Sequence, residues 1–168
     1  MNNDLNIKGH EGRDDLAGEH KYGDAGQMIL FFLFFAVWIA DSFLFQISNQ
    51  LSLYINLLIR VIAGGLVVIL AIRLFKLSNK AIFKTVREEG RVISDGVYSK
   101  VRHPMYLGAI LLYLAMILFT LSIFSWIVWI IGIFFYNYIA SYEEKILIAK
   151  YGEDYIQYMK KVSRWIPL

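Results

Sequence analysis

Two short stretches of this sequence hold most of its reactive side chains. The first is Tyr98-Ser99-Lys100-Val101-Arg102-His103-Pro104-Met105-Tyr106, and the second is Glu143-Glu144. Residues 105–140, between them, carry no charged side chain. Pro104 suits the first turn of a helix, where its missing N–H costs nothing. That helix points free N–H groups and the positive end of its dipole back at Arg102 and His103, which makes a ready anion site. Glu143 and Glu144, at the far end of a hairpin built from the uncharged run, supply the opposite charge. A basic end and an acidic end ringed by tyrosines suit a zwitterionic ligand that carries an aromatic base. The sequence has neither a P-loop nor a GxGxxG motif, so this is not a P-loop or Rossmann nucleotide site. Each piece also has a plain structural reading: a helix start, a helix end and an interfacial belt of tyrosines.

The elements that must position these residues are membrane helices. The chain has 168 residues, 58% of them hydrophobic, and its mean hydropathy is +0.51. That is the composition of a small polytopic membrane protein. Without cysteine there are no disulfides and no thiolate metal sites. His10, His20 and His103 have no metal-ligand spacing, so no metal is expected. The net charge of +3 is modest, and the basic residues flank apolar spans, which points to membrane topology and away from nucleic acid. Residues 1–26 are polar and glycine-bearing, and read as a flexible or surface-lying cytoplasmic tail with no cleavable signal peptide.

The expected fold class is all-α: four transmembrane helices plus short cytoplasmic or interfacial helices. Stretches 27–47 and 54–76 can each cross a core of about 30 Å at about 1.5 Å per residue. The uncharged run would measure about 54 Å as one helix, which suits two crossings, 104–120 and 123–142, turning at Thr120, Ser122 and Ser125. The organisation is then a tail at 1–26, a helix pair at 27–76 and a catalytic region at 77–168. Three Lys and Arg lie in the tail, seven in 76–104 and five after 142, with none in the two short connections. Both termini and the site therefore belong on the cytoplasmic side.

Antiparallel packing of the first two spans puts Asp41 and Arg60 at one depth, about 9 Å inside, as a buried ion pair. Gly64-Gly65 allows close helix packing. Ser78 is a candidate cap for a short helix over 79–87. Gly90-Arg91-Val92-Ile93 reads as a short extended stretch and Ser94-Asp95-Gly96 as a turn. Gly152 ends the fourth helix, and an amphipathic helix follows from Glu153.

Taken in order, Arg102-His103-Pro104-x-Tyr106-x-Gly108, Glu143-Glu144-x-x-Leu147, Tyr151-Gly152-x-x-Tyr155-x-x-Tyr158 and Val162-x-Arg164-x-x-Pro167 resemble the isoprenylcysteine carboxyl methyltransferase family, which belongs with the membrane phospholipid methyltransferases. The resemblance covers residues 88–167. It implies S-adenosylmethionine as methyl donor, held without a Rossmann domain, and a lipophilic or lipidated acceptor from the bilayer. Carried over by position, it implies donor contacts from Gly90, Arg91, Val92, Ile93, Tyr98, His103, Pro104, Met105, Tyr106 and Glu143. Arg102, Glu144 and Arg164 are the candidate catalytic residues: cations for an acceptor carboxylate, and a carboxylate to take a proton from an amine. The prenylcysteine enzymes carry an arginine four residues before the first glutamate, where this chain has Ile139. The acceptor stays open among a prenylcysteine-like carboxylate, a phospholipid amine and a small thiol. Two other classes remain. A nicotinamide-dependent membrane reductase would recruit Arg87, Arg91, Lys100 and Arg102, with the paired glutamates opposing the dinucleotide phosphates. A non-catalytic helical membrane protein would need none of this chemistry.

Overall fold

A computed structural model describes residues 23–85 and 92–166. The expectations for the tail up to residue 22, for Arg87, Gly90 and Arg91, and for Pro167 fall outside them. The described residues form five α-helices and no strand. They are α1 (Gly23–Ile39), which continues as a π-turn (Ala40–Phe45), α2 (Leu57–Thr85), α3 (Pro104–Thr120), α4 (Ile123–Tyr151) and α5 (Glu153–Lys161). Three stretches, Gly23–Phe45, Leu57–Ile82 and Ile123–Tyr151, are long and apolar enough to cross a membrane. α3 is apolar but shorter, at 17 residues.

Residues that act on their own backbone set the helix ends. Pro104 opens α3 with its fixed φ. Leu121 closes it in the left-handed region, φ 58°, with its N–H bonded to the Ile117 carbonyl. Ser122 then caps α4, its hydroxyl accepting from Ser125 N at 3.1 Å. Gly152, at φ 59°, ends α4 by donating its N–H to Ile148 O at 2.8 Å. α2 reaches Thr85, not 76, and α4 continues past its expected crossing to Tyr151, where Gly152 is expected to end it. Ser78 caps nothing. It lies inside α2 and donates its hydroxyl to Leu74 O, four residues back, at 2.7 Å. Residues 79–85 of the expected short helix are therefore a continuation of α2.

α2 packs along α3, α3 and α4 form the hairpin, and α1 packs on α4. The order across the bundle is thus α2, α3, α4, α1. α1 also reaches α3, where Phe34 stacks on Tyr113 with centroids 4.5 Å apart and Trp38 Nε1 donates to Met116 O at 3.0 Å. No residue of α3 is exposed; the shortest apolar helix is the one the others enclose. Its close fit to α2 needs small residues. A Cβ on Gly108 would stand 3.3 Å from the Phe75 ring, and one on Gly64 would strike the Phe119 ring. Gly65 faces open space, so close packing at the glycine pair holds for Gly64 alone.

This order overturns the expected ion pair. α1 and α2 flank the α3–α4 hairpin instead of packing on each other, so Asp41 and Arg60 do not meet. Asp41, 3% exposed, accepts from Ser48 N at 3.0 Å and from the Ser48 and Ser122 hydroxyls. Arg60 donates to Phe119 O at 2.8 Å, at the C-terminal end of α3, where a cation suits the helix dipole. The two charges thus have separate partners, and Arg60 Nε is left buried without a hydrogen bond.

Candidate active site

The site lies where α3 begins, α4 nears its end and the C-terminal segment returns. The hairpin alone brings the start of α3 beside residues 143 and 144. The turn at Gly152 sends α5 back, and its apolar side buries Tyr155 and Tyr158, with Val162 beyond, against Val92, Leu147 and Ile148. Tyr158 OH donates to Tyr98 O at 2.6 Å. Val101 and Ser163 form a parallel bridge, with Arg102 N donating to Ser163 O at 2.9 Å. These contacts fix the segment before α3 and bring Arg164 alongside α4.

Glu144 is the hub. Its side chain is 4% exposed. Oε1 lies 3.1 Å from His103 Nε2, 3.1 Å from Arg164 Nε and 3.1 Å from Arg102 Nε. The last is an ion-pair contact whose N–H is out of line for a hydrogen bond. Oε2 accepts from Arg164 Nη2. Arg102 Nη1 donates to Met159 O at 3.0 Å. Arg164 Nη1 donates to Asn137 Oδ1 at 2.8 Å and Ser141 Oγ at 2.9 Å, so it runs along the α4 face that Asn137, Ser141 and Glu144 share.

Glu143 faces the other way. It accepts from Tyr106 OH, and its Oε2 lies 3.6 Å from His103 Nδ1. The His103 and Tyr106 rings are stacked, 5.7 Å apart and 4° from parallel. Burial pushes His103 below the ordinary imidazole value; its bond to Glu144 opposes that, and Arg164 and Arg102 reinforce it. Burial pushes the Tyr98 hydroxyl up to about 12 against a hydrogen bond with Ser78, so Tyr98 stays a neutral phenol.

A cavity of about 270 Å³ opens here. Tyr98, Arg102, His103, Pro104, Met105 and Tyr106 line one side, and Glu143 and Leu147 line another. Seven residues named from the sequence therefore border one space. The others do not. Glu144 and Arg164 stand behind Arg102 and His103, Val92 packs against the Tyr155 cluster, and Ile93 is not on the wall. Ile139 is 2% exposed and buried in the bundle. Sequence reasoning missed the third wall, formed by Gly23, Asp24 and Gln27 in the first turns of α1. Its only signal was two polar side chains three residues apart at the start of an apolar helix.

The sequence model of the family described as phospholipid methyltransferase matches residues 57–154. The Protein-S-isoprenylcysteine O-methyltransferase of Schizosaccharomyces pombe is 35% identical over 83 residues, covering 46% of this chain and 33% of that protein. The protein of the same name from Saccharomyces cerevisiae is 32% identical over 138 residues, covering 77% of this chain and 58% of its own length. The chain thus spans a third of one relative and a little over half of the other.

Proposed function

We propose, from the premise that this chain belongs to the phospholipid methyltransferase family, that it is an integral-membrane methyltransferase moving a methyl group from S-adenosylmethionine to a lipophilic acceptor. The observation that carries this is the cavity itself, where one small space is bordered by Arg102 and His103, by Glu143, and by the rings of Tyr98 and Tyr106. Those groups fit the donor. Arg102, His103 and the N-terminal end of α3 would hold its carboxylate. Glu143 would hold its ammonium, and the tyrosine rings offer faces to adenine or to a cation. The donor supplies an electrophilic methyl group with a good leaving group, so the protein's task is positioning, exclusion of water and field.

Glu144 takes a different role from the proton acceptor expected of it. Its two oxygens are occupied by Arg102, His103 and Arg164. It positions Arg102 and His103 on the cavity wall and is not free to take a proton from an acceptor. Met105 and Leu147 supply the apolar border that keeps water from the reacting atoms.

The membrane reading has four crossings, with both termini and the cavity on the cytoplasmic side. The 17 residues of α3 reach about 25 Å at about 1.5 Å per residue, which a modest local thinning accommodates. Lys76, Lys80, Lys100, Lys145, Lys150, Lys160 and Lys161 all gather at the cavity end of the bundle, as a cytoplasmic face requires. The names of the two relatives favour a prenylcysteine carboxyl acceptor. Buried Ile139, in the place of the family's substrate arginine, favours an amine acceptor such as a phospholipid headgroup. Radiolabelled transfer to a prenylcysteine analogue and to phosphatidylethanolamine separates the two.

The test of the methyltransferase reading is calorimetry on the detergent-purified protein. Wild type should bind S-adenosylhomocysteine and no nicotinamide dinucleotide, and His103→Ala and Glu143→Ala should each lose that binding. A wild type that does not bind it, or variants that bind unchanged, would overturn the reading.

A further inference from the structure

Among the described residues, the cavity wall carries two carboxylates, and one of them lies on α1, outside residues 57–154, the part that matches the family. A sulfonium amino-acid donor brings two positive centres and one carboxylate. Arg102 and His103 answer the carboxylate. Glu144 is held by Arg102, Arg164 and the His103 ring, which leaves Glu143 to face one positive centre. The remaining carboxylate on the wall, among the described residues, is Asp24 of α1. Asp24 is exposed, and no described residue forms an ion pair with it. Packing fixes its height against the hairpin: Gly26 sits against the Phe135 ring, and Leu30 lies over Gly132 of α4.

We infer that Asp24 is the second counter-charge of the donor site, and that it makes the site prefer the charged sulfonium donor over its neutral thioether product. The inference deepens the proposed function and rests on it. In methyl transfer the acceptor's nucleophilic atom bonds the methyl carbon as the sulfur–methyl bond breaks and leaves its electron pair on sulfur, so the positive charge facing Asp24 disappears with the reaction. The attraction holding the donor then weakens when the product forms, which favours its release. Asp24 also suits the dipole of the α1 N-terminus, a stabilising role that any ligand would leave unchanged.

The two roles separate by experiment. Both S-adenosylmethionine and S-adenosylhomocysteine are titrated calorimetrically into wild type, Asp24→Asn and Asp24→Glu, with melting temperatures recorded alongside. Asp24→Asn should weaken the sulfonium donor about tenfold and the thioether less than about twofold, the size of one partly screened charge pair. Asp24→Glu should restore the preference, and any fall in the ligand-free melting temperature of Asp24→Asn is the helix dipole's share, which weakens neither ligand more than the other. Equal effects on both ligands, or none on either, would overturn the inference while leaving the proposed function standing. A wild type that binds neither ligand removes both.

Discussion

Replacing Glu144 with alanine removes the carboxylate on which two guanidinium groups and the His103 imidazole converge. Side-chain exposures in that cluster are 4% for Glu144, 10% for Arg102 and 24% for Arg164. Removing one partner of a buried ion pair costs about 3–5 kcal/mol, because the other charge stays buried and unmatched. Arg102 is in that position. Arg164, a quarter exposed, can turn toward water and keep its bonds to Asn137 and Ser141, so the low end, about 3 kcal/mol, applies. For a chain of this size that lowers the unfolding midpoint by about 6–12 °C. Arg164→Ala should cost less, since Glu144 keeps Arg102 and His103. The double variant should lose less than the sum of the two, by about 1 kcal/mol or more, because the shared contact is removed once. The assay is thermal unfolding of the three variants in one detergent, with S-adenosylhomocysteine binding measured on each. Glu144→Ala should also fail to bind, as Arg102 and His103 lose their anchor. A midpoint within about 2 °C of wild type, or strictly additive losses, would refute the clamp.

The separate partners of Asp41 and Arg60 make the opposite forecast for that pair. Asp41→Ala strands the Ser48 and Ser122 groups and should cost about 1–3 kcal/mol, and its loss should add to that of Arg60→Ala within about 0.5 kcal/mol; clear non-additivity in thermal unfolding would restore the ion pair. His103 gives a pH dependence. Burial holds its folded value below the ordinary one of about 6.5, so the unfolded chain binds more protons in the window beneath. Its contribution is full above about pH 6.5 and falls as pH drops through the folded value. Melting midpoints taken from pH 7.5 to pH 5 should decline more steeply in wild type than in His103→Gln, and equal slopes would count against a neutral buried imidazole.

Local chemistry was legible where a residue acts on its own backbone. Pro104, Ser122 and Gly152 announced the ends of α3 and α4, and the structure puts them there. Ser78 shows the limit of that logic: a hydroxyl that can cap a helix can equally bond the carbonyl four residues back, and packing against α3 let α2 continue. Neighbours were not legible. The apolar faces of α1 and α2 call for burial without saying against what, and adjacency in sequence chose the wrong partner. In the site, the meeting of His103, Tyr106 and Glu143 follows from one hairpin. The placing of Arg164 depends on the Val101–Ser163 bridge, and the third wall depends on α1 packing on α4. Both are long-range contacts that no local pattern encodes.

The bundle order also bears on how the chain is made. α1 is synthesised first, yet the helix it packs on comes last of the four. While the nascent chain is threaded into the bilayer, Asp41 can call only on Ser48, seven residues on. Ser122, 81 residues on, arrives with the hairpin. α1 must therefore wait in lipid, its carboxylate half satisfied, until α3 and α4 have been inserted. Its docking is the closing event of assembly. That one event seals the acid at one end of α1 and sets Asp24 in place at the other, so a chain released before it is complete lacks the third wall of its cavity.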